Sequence, residues 1–318
     1  DHMTTPRLTI YSTRHREFTQ LLADGFHRES GVEVRIEDIK TDAAPLMQQE
    51  GPECPADIVL TLDYRRLLNL ANANLTRPVH SSTLDKLVPE HLRDPQGRWF
   101  AQSMRARLIF VAKSLDVTHL DYDDLAAPRW RDKMFIRSAD HMFNTALIAA
   151  YQAHYGQGKT ETWLEGIAAN RPLSKGGDRN AARLIAEGQA LIGVANSYYY
   201  GEMRAGVGGP EQKAWSESVR PIVPTFDNGL TPVNITGAAV AAYAPHPEEA
   251  VAFLEYLAGE KGQKIYAGIG YEYPVSDNVG PDPLIREAGE LRPDTRPFSA
   301  VAAFSDAAET YAMSKPWN

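Results

Sequence analysis

Leu8-Thr9-Ile10-Tyr11-Ser12-Thr13-Arg14-His15 is the stretch whose reading decides the fold. Leu8–Tyr11 has the apolar and β-branched character of a strand, and Ser12–His15 is a polar turn after it. Phe18, Leu21, Leu22 and Phe26 then recur at helical spacing until Ser30-Gly31 stops the helix. Val32–Ile36 alternates as a second strand should. A helix around Ala43–Glu50 leads through a Gly/Pro loop to a third strand, Ala56–Thr61. This β-α-β-α-β order between Leu8 and Thr61 predicts a parallel sheet with crossover helices. Ligands of such sheets sit beyond the carboxyl ends of the strands, where Ser12–His15 and Thr61–Asp63 fall.

Further along, Trp99-Phe100 and Met104–Val111 read as strands crossing into a second unit. Lys133–Arg137 is a strand after the loop Leu125–Trp130, and a helix begins near Asn144. The polar cluster Ser138-Ala139-Asp140-His141 before that helix suits an anion or polar ligand. A helix around Arg179–Glu187 precedes the apolar strand Ala190–Val194. Val233–Ala242 is expected as a strand, Pro247–Ala258 and Gly262–Ala267 as helices, and Pro297–Met313 as one or two helices.

At the end of the strand beginning at Ala190 stands Ala195-Asn196-Ser197-Tyr198-Tyr199-Tyr200-Gly201. A phenol is a neutral hydrogen-bonding group with a pKa of about 10, so only a strong Lewis acid would hold it as phenolate at neutral pH. Trivalent iron is such an acid, and tyrosinate is one of its ligands. The alternative from this run alone is that one or two rings pack in a core and the others line a surface.

The chain of 318 residues is long enough for two cores, and its net charge of −8 argues against a general nucleic-acid binder. Its lone cysteine, Cys54, excludes an intrachain disulfide and any multi-cysteine metal site. Asp1-His2-Met3 reads as a cloning remnant, so a secretion signal is expected to have been trimmed. Ala153–Thr160 ends like a phosphate-binding loop, but Ala153 replaces the first glycine and the segment follows a helix. No Gly-x-Ser-x-Gly elbow or His-Glu-x-x-His pair anchors hydrolase chemistry. Arg105 and Arg107 alternate on a strand, and two arginines facing a cleft would favour an anion.

Several stretches together resemble the periplasmic ferric-ion-binding proteins of bacterial iron ABC transporters, which are type II, transferrin-like solute-binding proteins. They are Tyr11–His15, Pro55–Thr61, Arg105-Ala106-Arg107, Ala127–Trp130, Asn196–Tyr199 and Tyr271-Glu272-Tyr273-Pro274, in the right order from about residue 7 to about 280. The resemblance is strongest to a branch found in cyanobacteria and some proteobacteria. It implies an α/β, two-lobed periplasmic binding protein fold, each lobe a mixed sheet flanked by helices, joined by two crossing strands. The implied lobes are 1–102 with 236–280, and 103–235 with 281–318, with ferric iron in the cleft between them. It implies further that the protein is not an enzyme, that it is periplasmic and monomeric, and that it delivers iron to an inner-membrane ABC permease.

Residue by residue, Tyr198 and Tyr199 match the family's tyrosine pair and His15 its N-terminal histidine, which implies three metal ligands. Arg105 matches the arginine holding a synergistic anion, usually carbonate, and Ser138 and Asn144 fall in the rest of that anion site. Three positions depart from the pattern. Leu62, with Asp63 beside it, stands where many members place a glutamate ligand. Arg16 follows the histidine where the branch has a tyrosine, and Phe143 replaces another. Two tyrosinates and one histidine are few against the roughly six positions a hard cation fills. Carbonate or another chelating anion with water would complete the sphere, and Asp63, Asp140 and His141 are further candidate donors. The competing expectations are an organic or phosphate-like anion bound without iron, and a polar-substrate transferase or sensor module on the same two lobes.

Overall fold

A computed structural model of the chain describes residues 7–318, so the expected cloning remnant Asp1–Met3 lies outside the described residues. The chain divides into two compact units, the first comprising residues up to Met104 with Asn234–Pro281, the second Arg105–Val233 with Asp282–Asn318. The first pass through unit 1 runs β1 (Arg7–Ser12), α1 (Arg16–Ser30), β2 (Glu33–Asp38), α2 (Ala44–Glu50), β3 (Ile58–Thr61), α3 (Tyr64–Asn72), α4 (Ser82–Leu87) and β4 (Phe100–Arg105). Unit 2 follows with β5 (Arg107–Ala112), β6 (Met134–Phe135), α5 (Met142–Tyr155), α6 (Gln157–Ala169), α7 (Asn180–Ala186), β7 (Ile192–Asn196), α8 (Ser197–Arg204), α9 (Pro210–Glu217) and β8 (Val219–Ile222). The chain then returns to unit 1 as β9 (Asn234–Val240), α10 (Pro247–Ala258), α11 (Glu260–Gly268) and β10 (Tyr273–Pro274). Short helices, among them Ser305–Met313, finish unit 2.

Unit 1 is built on a six-stranded mixed sheet in the order β10-β4-β9-β3-β1-β2. β1 pairs in parallel with both β2 and β3, as the β-α-β-α-β reading expects, whereas β3 and β9 are antiparallel. Both expected binding turns leave this sheet at carboxyl ends, Ser12–His15 after β1 and Leu62-Asp63 after β3. Arg14 crosses that edge to pair with the buried carboxylate of Glu272, and its guanidinium lies 3.6 Å over the Phe18 ring. Glu272 also accepts from Ser103 Oγ at 2.6 Å, which ties the β1 turn to β4.

Unit 2 carries a four-stranded sheet in the order β6-β7-β5-β8. Alternate β5 residues feed opposite faces: Ile109 and Val111 join a core with Trp130, Tyr151 and Trp163, while Leu108 and Phe110 join one with Tyr200 and Met203. A sheet covered on both faces explains why this strand is a continuous apolar run rather than an alternating one. Gly193 permits the close approach of α7, since a Cβ there would come within 2.7 Å of the Ala181 Cβ. That contact brings the residues just before α7, Asp178 and Arg179, to the end of β7.

Two local expectations are corrected. Met104–Val111 is not one strand, because the chain breaks at Ala106 and passes from the sheet of unit 1 to that of unit 2. The tyrosine run does not end a strand either. Asn196 is the last extended residue, and Ser197–Tyr200 form the first turn of α8. The apolar run supplies a strand only as far as the Arg107–Asn196 register pair. Ser197 then turns the chain: its N–H donates to the Ala106 carbonyl at 2.9 Å and its Oγ accepts the Ala106 N–H at 3.1 Å.

Candidate metal-binding site

A helical turn spreads three consecutive side chains by about 100° each, so the three tyrosines cannot share one environment. Tyr200 is 2 % exposed, lies edge-on to Phe110 at 5.8 Å and donates its hydroxyl to Glu287. Burial first, and the Glu287 hydrogen bond second, push its phenol well above the usual range. It belongs to the core. Tyr198 and Tyr199 stay together, with ring centroids 4.5 Å apart.

Tyr198 is partly buried, and its hydroxyl oxygen accepts from Asn196 Nδ2 at 3.3 Å. Desolvation raises its phenol most strongly, and the neighbouring Tyr199 adds to that. The positive charge of Arg105 and the Asn196 hydrogen bond pull the other way. Burial therefore keeps the Tyr198 phenol neutral, as it does that of Tyr200. Arg105 and Tyr198 are brought together because Ala106, the residue after Arg105, and Ser197, the residue before Tyr198, are locked by reciprocal hydrogen bonds.

Below the pair lies a polar network. Arg107 Nη1 donates to Asp178 Oδ2 at 2.6 Å and to Asn196 Oδ1 at 3.1 Å, and Nη2 donates to Asn144 Oδ1 at 2.7 Å. Asp178 Oδ2 also accepts the Asn196 backbone N–H at 2.8 Å. Arg107 is thus spent on holding the strand end, so the expected pair of arginines reduces to Arg105. Asn144 directs its amide N–H groups to the carbonyls of Arg137 and Ser138 and so braces the loop.

The other candidates fall as follows. Ser138 donates towards Asp140 and Asn318, and Asp140 is exposed. His141 is the N-cap of α5, its Nδ1 accepting the Phe143 N–H at 3.2 Å. Desolvation, reinforced by Arg137, lowers its imidazole to about 4. Phe143 packs against His141 at 4.4 Å, with the guanidinium carbons of Arg137 and Arg107 5.2 Å and 5.7 Å from its ring centre. In unit 1, His15 is exposed at the start of α1. Asp63 caps α3, its Oδ1 accepting the Arg66 N–H and its Oδ2 pairing with the Arg66 guanidinium, each at 2.8 Å, so both oxygens are engaged. Arg16 pairs with Asp38 on the surface. Among the described residues no group of three or more His, Cys, Asp or Glu side chains is placed to hold a metal.

Sequence reasoning passed over Asp178, Asn196 and Arg179 as site residues. Asn196 adjoins the tyrosines and was legible as a neighbour, but Asp178 and Arg179 reach them only through the packing of α7 on β7.

The family of bacterial extracellular solute-binding proteins matches residues 53–293. The chain belongs to that family. As a solute-binding protein it is 34 % identical to iron uptake protein A2 of Synechocystis over 90 % of this chain and 83 % of that protein. A solved Bordetella ferric binding protein superposes on it with a TM-score of 0.92 at 40 % identity, covering 97 % of this chain and 98 % of the other. The Trichodesmium IdiA (FutA) protein, solved in complex with iron and citrate ligands, gives a TM-score of 0.88 at 32 % identity, with coverage of 98 % and 100 %. The fold of this solute-binding protein is accordingly the type II periplasmic binding protein fold. No helix among its described residues is long and apolar enough to cross a membrane.

Proposed function

We propose that the protein captures ferric iron as cargo in the periplasm, through the phenolate oxygens of Tyr198 and Tyr199, and hands it to an inner-membrane ABC permease. One observation carries the reading: two adjacent phenols on the first turn of α8, with Arg105 beside Tyr198 and Asn196 donating to its oxygen. The similarity to ferric-binding and iron-uptake proteins supports it. A trivalent cation supplies the charge that displaces both phenol protons, and the two negative oxygens then hold it. Arg105 presents a planar fork that matches both oxygens of carbonate or a similar small anion, which fills positions the protein leaves open. Ser138 stands with Arg105 as the candidate anion contact. His15 remains a candidate ligand from unit 1, and Asp140 and His141 remain candidate donors within unit 2.

The test is optical. Metal-free protein titrated with ferric salt and bicarbonate develops a visible tyrosinate-to-iron charge-transfer band that saturates at one iron per chain. A visible spectrum that stays flat, with an organic or phosphate-like anion bound instead, would replace this reading with the anion-binding one.

A further inference from the structure

The guanidinium of Arg179 lies over the ring of Tyr199, with Cζ 4.7 Å from the ring centre. Its Nη2 is held from the other end by Glu202 Oε2 at 2.8 Å. Tyr199 and Glu202 are three residues apart on α8 and so share one face of it, and Arg179 stands at the start of α7. The three side chains form a clamp that ties the beginning of one helix to the first turn of the other. Arg179 Nε is buried and meets no hydrogen-bond acceptor, although the side chain as a whole is 43 % exposed.

We infer that Arg179 is a positioning residue for iron capture: it sets the plane of the Tyr199 ring and draws electron density from it, so that the two phenolates of the pair are unequal donors. The inference rests on the reading of Tyr199 as a ferric ligand. The physical cause is simple. A cation over a phenolate ring stabilises its highest filled π orbital, because that orbital carries the negative charge the cation attracts. Charge transfer from that ring to iron then needs more energy, and the ring gives iron less electron density. Tyr198 has its own positive neighbour in Arg105, but that group is also the one offered to the anion and so is shared once an anion binds. Arg179 is committed to the ring and to Glu202. Glu202 opposes it, since a carboxylate 2.8 Å from the guanidinium offsets part of the field the ring feels.

Three variants test this against the iron-loaded wild type: Arg179→Met, Arg179→Lys and Glu202→Gln. Arg179→Met moves the visible band to longer wavelength, since the charge over the ring is gone, and speeds iron loss to a competing chelator by roughly tenfold, since the ring is no longer held in its plane. Arg179→Lys, which keeps a cation near the ring, restores most of the band position. Glu202→Gln shifts the band to shorter wavelength, opposite to Arg179→Met. Resonance Raman of the tyrosinate modes resolves two phenolates in the wild type and brings them closer together in Arg179→Met. A band unmoved by Arg179→Met, or moved equally by Lys and Met, overturns the inference while leaving ferric binding intact. A wild type with no visible band overturns the ferric reading itself.

Discussion

Arg107 Nη1 and Asp178 Oδ2 lie 2.6 Å apart inside unit 2, with Arg107 6 % and Asp178 1 % exposed. The same carboxylate oxygen takes the Asn196 backbone N–H, so this ion pair sits beneath the residue that ends β7 and launches the tyrosines. Removing one partner of a buried pair strands the other charge, at about 3–5 kcal/mol. Asp178→Asn and Arg107→Met should each lower the unfolding free energy by about that much, and the double variant by clearly less than the sum. Urea denaturation of the four proteins checks it. Additive losses would show that the two charges are not coupled.

The tyrosines divide by environment. Tyr198→Phe and Tyr199→Phe should each abolish the visible band and tight ferric binding, while leaving the fold intact because both rings stay partly exposed. Tyr200→Phe should keep the band and instead cost about 1–3 kcal/mol of stability through its lost bond to Glu287. Absorbance and thermal melts on the three variants separate the two outcomes. Loss of colour in Tyr200→Phe alone would move the ligand register by one residue.

Arg105 should set the anion dependence. In Arg105→Ala, ferric binding should weaken by roughly tenfold or more, an effect of about 1.4 kcal/mol, and respond less to added bicarbonate, because one charge-assisted contact to the anion is gone. Iron titrations with and without bicarbonate measure both. A bicarbonate response equal to the wild type's would remove Arg105 from the anion site.

His141 makes the metal-free protein acid-sensitive. Its imidazole is lowered in the fold from the usual 6.5 to about 4 by desolvation and Arg137. The unfolded chain therefore binds a proton that the folded one refuses between those values. Stability is full above about pH 6.5 and falls as pH drops towards 4, where His141 protonates in the fold as well. Protonation also removes the lone pair that accepts the Phe143 N–H. His141→Asn keeps a capping side chain without the titration, so its stability should decline less over that window. Melts of the two proteins between pH 7 and pH 4 decide, and parallel curves would count against the shift.

Phe143 stands where relatives are expected to carry another tyrosine, and its ring is 5.2 Å from the Arg137 guanidinium carbon and 5.7 Å from that of Arg107. A phenol placed there would meet positive charge that favours phenolate. Phe143→Tyr should deepen the ferric band and shift acid release of iron to lower pH. Superimposable pH titrations of the band for variant and wild type would show that residue 143 is not at the metal.

Much of this was written in local pattern. The spacing of Leu8–Thr61 carried the parallel β1, β2 and β3, because alternation and helical periodicity are short-range properties of the chain itself. That Tyr198 and Tyr199 stay together was legible because they adjoin in the chain, and their ring centroids lie 4.5 Å apart. What the sequence did not determine is which polar residues are spent inside the fold. Arg107 reads as a cleft residue, yet it is consumed by Asp178, a partner that only the tertiary structure supplies, whereas Asp63 and Asn144 are engaged nearer along the chain, by Arg66 and by the Arg137 and Ser138 carbonyls. Arg179 reaches Tyr199, 20 positions along the chain, because Gly193 lets α7 settle on β7. Whether a polar side chain faces a ligand or a buried partner depends on contacts between distant segments, and burial makes those contacts obligatory, since an unpaired polar group costs more inside a protein than in water.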